Sequence, residues 1–181
     1  MASLQERVIG AMRLQPSTFE EVEHDQAATS QAAMVVAAVA VAGVIAGIRH
    51  ITVLGALATI IFQLIGWVLA SFVVLLVGTK LFPGKNTEAD LGQMLRTMGF
   101  AQSAGLFNVL GIIPLLGFLI QFAVSIWVLV AMVIGVRQAL DYDDTLKAVI
   151  VCVVAWVIMF IMMLLATSLG IGAAGLGGGM F

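Results

Sequence analysis

The chain alternates between short polar segments and long stretches that carry no charged residue. The charge-free stretches cover residues 26–48, 50–79, 97–136 and 148–181. A transmembrane helix needs about 20 consecutive apolar residues to cross a hydrocarbon core of about 30 Å. Each stretch therefore has room for at least one membrane-spanning helix, and the pattern predicts an all-α, polytopic membrane bundle.

The longest stretch is too long for one helix and contains a predicted break. Its 40 residues, 97–136, would reach about 60 Å as a single helix. Pro114 lacks an amide donor and disfavours helix at the preceding residue, and Gly111 and Gly117 flank it. We therefore predict two spans joined by a tight turn. The membrane domain, residues 31–169, then has five transmembrane helices at 31–48, 54–79, 97–113, 115–136 and 146–169.

The third of these spans is the shortest. Its 17 residues between Arg96 and Pro114 are at the lower limit for crossing a bilayer. The pattern fits a full crossing or a re-entrant passage, because the chain returns to the same side in both.

The segments outside the spans predict short amphipathic helices at the membrane surface. Residues 1–30 begin with a Ser3–Glu6 capping box, followed by apolar residues at helical spacing, Leu4, Val8, Ala11 and Met12. A second stripe predicts an interfacial helix before the third span, at Leu91, Met94, Leu95 and Met98. Residues 170–181 form a predicted tail that is too rich in glycine to hold a helix well.

The basic residues predict the orientation. Five spans place the N-terminal segment and the linkers 80–96 and 137–147 on one face, which then carries seven of the eight Lys and Arg residues. Only Arg49 lies on the other face. The positive-inside rule therefore predicts a cytoplasmic N-terminus and a C-terminus on the far side. Merging the third and fourth spans would give five against three, so the distribution favours five.

Composition limits the class of protein further. Of 181 residues, 62% are hydrophobic and 10% are charged, whereas soluble domains carry about 25% charged residues. A soluble fold is therefore excluded. The formal net charge of −2 gives no reason to expect a nucleic-acid partner, so the predicted surroundings are the lipid bilayer.

Apart from Lys147 at the start of the last one, the predicted spans contain no Asp, Glu, Lys, Arg or His. Such residues usually mark proton or ion pathways, so their absence argues against a proton-coupled transporter and an intramembrane protease. Glu20 and His24 share a helix face with other acids nearby, but a solvated acidic face is the favoured interpretation over a metal site. We predict no catalytic, cofactor-binding or metal-ligating residues, and hence a non-enzymatic protein without a cofactor.

Two sets of uncharged residues inside the spans are candidates for function. Gly43 and Gly47 form a Gly-x-x-x-Gly motif that allows close helix approach, either within the bundle or in a homodimer. The second set consists of polar side chains at membrane depth, Gln63, Asn108, Gln121 and Ser125. They predict either interhelical hydrogen bonds or a polar path through the bundle.

Five phrases spread along the chain match a known family. They are Leu14-Gln-Pro16-Ser-Thr-Phe19-Glu-Glu-Val-Glu-His-Asp25, Arg96-Thr-Met-Gly99-Phe100-Ala101, Ile113-Pro114-Leu-Leu-Gly117, Trp127 and Val136-Arg137-Gln-Ala139-Leu140-Asp141. With these phrases the chain resembles the Yip family, named for its interaction with Ypt/Rab GTPases, over almost its whole length. The resemblance implies five spans, a cytoplasmic N-terminus and a far-side C-terminus.

The resemblance also bears on function and location. Eukaryotic members are linked to vesicle budding, membrane shaping and GTPase recruitment. This chain has neither their long polar N-terminal domain nor their Asp-Leu-Tyr-Gly-Pro phrase, so it is closer to the short bacterial members and is expected in the inner membrane. We predict a scaffold that organises the membrane or recruits partners, including other membrane proteins or a second copy of itself. The alternative is a small permease or channel for a neutral solute, ion or lipid.

Overall fold

The protein is described by a computed structural model, which covers residues 2–49, 51–85, 87–113 and 116–168. The regular elements of this part are helices: α1 Leu4–Met12, α2 Pro16–His24, α3 Ala28–Ala46, α4 Val53–Leu76, α5 Leu91–Ala101, α6 Gly117–Ala139 and α7 Thr145–Ser168. A π-helical turn, Val77–Leu81, continues α4, and a 3-10 helix, Gln102–Ile112, continues α5. The predicted tail at 170–181 lies outside the described residues.

Four of the helices in the described residues are long and apolar enough to cross a membrane. They are Ala28–Ala46, Val53–Leu81, Gly117–Ala139 and Thr145–Leu165. They correspond to the first, second, fourth and fifth predicted spans. The predicted span 97–113 is instead divided between the end of α5 and the 3-10 helix, so the count of five spans is not confirmed.

Three glycines explain the unusual form of this segment. A Cβ atom added to Gly99, Gly105 or Gly111 would lie 2.7, 2.6 or 3.2 Å from a side chain of α3, and those side chains are Ala32, Val39 and Ala46. Gly105 and Gly111 are six residues apart, which is two turns of a 3-10 helix, and Gly99 lies six residues earlier in the last turn of α5. Their partners are seven residues apart, about two turns of an α-helix. The 3-10 form therefore keeps successive glycines against α3 along its length.

The helices form a ring. α3, α4, α7, α6 and the 3-10 helix follow one another around it, each in contact with the next. α5 packs across one end, where it contacts α2, α3, α4 and α6. We call this the capped end; it includes α1, α2, α5 and the connection 140–144. The opposite end, where α3 ends at Ala46 and α6 begins at Gly117, is the open end.

Buried side chains concentrate near the capped end. Those of α4 lie in its second half, at Trp67, Ser71, Val73 and Val74. Those of α7 lie in its first half, at Ala148, Val151 and Ala155. The 3-10 helix is buried only at its start, from Gln102 to Gly105. The bundle is therefore closely packed at the capped end and looser towards the open end.

α1 and α2 form a hairpin beside the capped end. They approach most closely at Gly10, where an added Cβ would lie 2.2 Å from Thr18 Oγ1. Phe19 of α2 is fully buried and lies against Gly135 of α6. The indole of Trp127, near the middle of α6, donates a hydrogen bond to the Met12 carbonyl oxygen at 2.8 Å. The hairpin therefore lies alongside α6 and not only above its end.

The two apolar stripes predicted for the membrane surface pack against the bundle instead. Ala11, Met94 and Met98 are buried, and the neighbouring members of both stripes contact the core, among them Leu4, Val8 and Leu95. α5 has this environment because α2 covers it from outside while α3, α4 and α6 surround it. The stripe at 91–98 is a core face, not the membrane-facing side of a surface helix.

Candidate functional site: a polar cavity and a buried-charge network

The ring encloses an open cavity with a volume of about 570 Å³. Its wall combines apolar side chains with uncharged polar groups from α4, α6 and the 3-10 helix. The polar groups are Gln63, Gln102, Asn108, Gln121 and Ser125. All four polar residues singled out by the sequence therefore face one space, although they come from three different helices.

The polar groups differ in how they are satisfied. Gln63 Nε2 donates to Gln102 Oε1 at 2.8 Å, which links α4 to the 3-10 helix. Ser125 Oγ donates to the Phe122 carbonyl oxygen of its own helix at 2.7 Å. The side-chain amides of the other two, Asn108 and Gln121, make no hydrogen bond within the described part of the chain. The set thus contains one interhelical bond and two amides that face the cavity.

The Gln63–Gln102 pair lies between two cavities. A second, smaller cavity of about 180 Å³ is lined by Gly66, Trp67 and Met98, and it shares Gln63, Gln102 and Met132 with the large one. The hydrogen-bonded amides and the Met132 side chain therefore form the partition on the capped side of the large cavity. Beyond them the Trp67 indole donates to the Leu95 carbonyl oxygen at 3.1 Å.

Gln102 is the member of the set that the sequence analysis did not single out. It lies in the charge-free stretch 97–136 like Asn108, so the same signal was present. It also falls inside the predicted span 97–113. The parallel course of the 3-10 helix and α3 carries it to the depth of Gln63.

The two glycines of the Gly-x-x-x-Gly motif are not at a close helix contact. Gly43 lines the cavity, and no atom lies within 4 Å of a Cβ atom added there. A Cβ atom added at Gly47 would meet only the backbone of its own helix, at 3.7 Å or more. Close packing within the bundle therefore does not use this motif, and the homodimer stays a prediction.

A second polar centre holds the hairpin in place at the capped end. The Arg7 side chain is only 1% exposed. Its guanidinium forms ion pairs with Glu21 at 2.9 Å and with Asp25 at 2.6 Å, and it donates to Gln31 Oε1 at 2.9 Å. These contacts hold the pKa of the Glu21 and Asp25 carboxyls below their ordinary values. One residue of α1 thereby joins α2 to the start of α3.

Arg96 of α5 supports the end of α2 from the opposite side. Its Nε donates to the carbonyl oxygens of Val22 at 2.9 Å and Glu23 at 3.0 Å, and Nη2 also donates to Glu23. The last carbonyls of a helix have no partner within it, and a cation there also interacts favourably with the helix dipole. Arg96 thus ends α2 and attaches it to the bundle.

The Glu23 side chain is the least satisfied group in this centre. It is 2% exposed, Oε1 accepts a hydrogen bond from Gln93 at 3.2 Å, and Oε2 has no partner within the described residues. Burial raises the pKa of this carboxyl to about 7. The neighbouring acids and His24 have separate partners, and no three metal-ligating side chains converge among the described residues.

These features define a multi-pass helical membrane protein with an uncharged polar cavity and a docked N-terminal hairpin. A comparison with family models finds the Yip1 domain over residues 9–166. The chain therefore belongs to the Yip1 domain family, a family of non-enzymatic membrane proteins, as its resemblance at the sequence level predicts. Neither the curated proteins nor the solved structures contain a significant match to it.

Proposed function

We propose that the chain is a non-enzymatic membrane scaffold whose docked hairpin adds protein to one leaflet and presents a fixed surface there. The contact between Trp127 and Met12 is the observation that carries this proposal. Trp127 lies 12 residues before Ala139, the end of α6, which is about 18 Å of helix. The hairpin therefore extends along α6 as far as the middle of that helix. It fills space only in the half of the bundle next to the capped end.

The topology that we propose has five crossings, with the capped end in the cytoplasm. The segment from Gly99 to Ile112 follows α3 along its length and in the same direction, which supports its counting as a crossing. Seven of the eight Lys and Arg residues then lie on the capped side, as the positive-inside rule requires for a cytoplasmic face. We place the protein in a bacterial inner membrane.

Protein volume that is added to one leaflet only favours a bilayer in which that leaflet lies on the convex side. A rigid protein surface also holds partner proteins. The Arg7 and Arg96 guanidinium groups hold the hairpin rigidly, because both are buried and each joins α2 to another helix. We propose that the partners are the surrounding lipids and other membrane proteins, including further copies of the chain.

Reconstitution into extruded vesicles of uniform size tests the scaffold. Electron cryomicroscopy would compare the vesicle diameter for the wild type, Arg7→Gln and Arg13→Gln. Arg7→Gln leaves Glu21 and Asp25 unpaired and should release the hairpin, whereas Arg13 is exposed and is the matched control. We expect the wild type and Arg13→Gln to narrow the vesicles and Arg7→Gln to leave them at the diameter of protein-free vesicles. Equal diameters for all three proteins and protein-free vesicles would contradict the scaffold.

The cavity supports a second candidate, a permease for a neutral solute or lipid. Its polar groups are uncharged, and an amide pair closes its capped side. The same vesicles test this candidate, since a permease would speed their re-swelling in glycerol. An unchanged rate would exclude glycerol as its solute and leave the scaffold unaffected.

A further inference from the structure

The large cavity is the principal feature that the scaffold does not use. Its volume of about 570 Å³ falls within the range of about 300–1,000 Å³ that is typical of small-molecule sites. Such sites combine a mostly apolar wall with a few converging polar groups. Here the polar groups come from three helices of the ring, so the bundle as a whole builds the site.

Two of those groups have no hydrogen-bond partner within the part of the chain that the structure describes. The Asn108 and Gln121 side chains face the cavity from the 3-10 helix and α6, and neither makes a hydrogen bond within the described residues. Asn108 is half-buried and Gln121 is exposed, so a ligand in the cavity can reach both amides. Each amide offers a donor and an acceptor, so together they match a hydroxyl or amide group of a ligand.

The charge of the wall limits what can bind. None of the residues that line the cavity is ionisable. A charged ligand would lose its hydration without gaining a counter-charge, which is strongly unfavourable in an apolar setting. The ligand is therefore uncharged.

The apolar part of the wall indicates an amphiphile. Leu129 and Trp156 line the cavity together with the two amides, and both side chains are largely exposed, at 53% and 64%. A small polar solute would leave this surface uncovered, whereas an acyl chain would cover it.

We propose that the cavity binds an uncharged lipid whose hydroxyl or amide group pairs with Asn108 and Gln121 and whose acyl chain lies along Leu129 and Trp156. For the second candidate function, the permease, this lipid would be the transported substrate. The scaffold does not depend on it, because the hairpin and the cavity lie on different parts of the bundle. A free solute with a hydroxyl group would form the same hydrogen bonds as the lipid. A competition experiment distinguishes the solute from the lipid.

Two glycines provide a matched pair of variants. Gly43 lines the large cavity and Gly66 lines the small one beyond the Gln63–Gln102 pair, and an added Cβ meets no atom within 4 Å at either position. Gly43→Leu therefore fills the proposed site, while Gly66→Leu makes the same change outside it. Asn108→Leu and Gln121→Leu remove the amides without closing the space. Thr59→Val is their control, because Thr59 is an exposed residue of α4 that lines neither cavity.

The probe is radiolabelled dioleoylglycerol, measured at equilibrium with the purified full chain in detergent micelles. We expect saturable binding to the wild type, Gly66→Leu and Thr59→Val, with Gly43→Leu at least tenfold weaker. Asn108→Leu and Gln121→Leu should each weaken binding by up to about tenfold, the loss of one hydrogen bond. These two variants keep the test valid if Gly43→Leu does not fold.

Competition identifies the source of the binding group. Unlabelled dioleoylglycerol should displace the probe, whereas glycerol and the anionic dioleoylphosphatidylglycerol should not. Displacement by glycerol would assign the cavity to a free solute and overturn the lipid. Displacement by the anionic lipid would overturn the requirement for an uncharged ligand. Equal binding to the wild type, the two amide variants and a folded Gly43→Leu would place the lipid elsewhere and overturn the site.

Discussion

Three buried ionisable side chains at the capped end differ in how their charge is compensated. Arg7 has two carboxylate partners, Arg96 has helix carbonyls, and Glu23 has one amide contact and an unpartnered oxygen. A buried carboxylate without a cation is unfavourable in its charged form. The protonated form of Glu23 is therefore the one that fits the docked hairpin.

The stability of the docked hairpin should fall as the pH rises. Burial raises the pKa of Glu23 from 4.5 to about 7, so between these values the folded protein binds more protons than the unfolded chain. Stability is then lost as the pH rises through this window, by a few kcal/mol in all. Glu23→Gln should remove this dependence and raise the melting temperature at pH 8, measured by tryptophan fluorescence in detergent.

His24 needs a separate control. The Glu20 carbonyl oxygen and the Glu23 carboxylate raise the pKa of His24, which also favours the folded state at lower pH. The other charged groups that act on Glu23 are Glu20, Asp141 and Arg96. His24→Gln should keep most of the pH dependence. If Glu23→Gln and the wild type lose stability equally between pH 5 and 8, Glu23 is not the titrating group.

The cavity residues were easier to predict from the sequence than the residues of the buried-charge network at the capped end. Gln63, Asn108, Gln121 and Ser125 could be found because a polar residue in an apolar stretch is conspicuous. Arg7 and Arg96 lie in polar flanks, where charge is ordinary, and their partners are on other helices. Burial of a flank charge depends on tertiary contacts that no local pattern reports.

At the scale of elements, the segment 91–112 departs most from the sequence prediction. Hydropathy correctly marked it as apolar and gave it the length of a short span. It could not show that glycines at a period of six favour a 3-10 helix against α3, because the prediction assumed α-helical spacing. An apolar stripe also does not state whether lipid or protein covers it, which is why α5 was predicted at the surface.

The glycine contacts should be sensitive to a single methyl group. In Gly99→Ala the new Cβ would lie 2.7 Å from Ala32 Cβ and 3.3 Å from the Ala32 backbone, which cannot move aside easily. Overpacking of this kind costs about 1–3 kcal/mol. We expect a lower melting temperature for Gly99→Ala. Gly43→Ala meets no atom and should be neutral or stabilising, by up to about 1 kcal/mol.

One outcome for these two alanine variants would contradict the close packing of this segment against α3. If Gly99→Ala melts at the same temperature as Gly43→Ala, the close approach of this segment to α3 is not maintained. The chain would then not be held against α3 where it enters the 3-10 helix, and the counting of this segment as a crossing would lose part of its support.

At the scale of the whole molecule, packing is unequal between the two ends. The capped end contains most of the buried side chains and both arginine networks, whereas the open end leaves a cavity between the helices. The two proposals use different parts of the molecule: the scaffold depends on the hairpin docked against α6, and the lipid site depends on the cavity, which no residue of the hairpin lines.

Much of this architecture follows from the sequence. Four spans, the break at 111–117 and the N-terminal helix after Ser3 were predicted from hydropathy, proline and capping chemistry. The ring and the side-by-side course of α3 and the 3-10 helix were not, because they depend on which residues meet across helices. The family was predicted from its phrases, and Pro16, Arg96 and Arg137 of these phrases have structural roles.

Cysteine accessibility tests the five-crossing topology most directly, and the scaffold depends on that topology. Single cysteines at Lys85, Arg49 and Leu116 would be introduced into a Cys152→Ala background, which removes the only native cysteine. A membrane-impermeant maleimide would be applied to intact bacteria. We expect Arg49→Cys and Leu116→Cys to be labelled and Lys85→Cys to be labelled only after lysis. Protection of Leu116→Cys together with Lys85→Cys would show that the segment 91–112 does not cross, and would contradict the account.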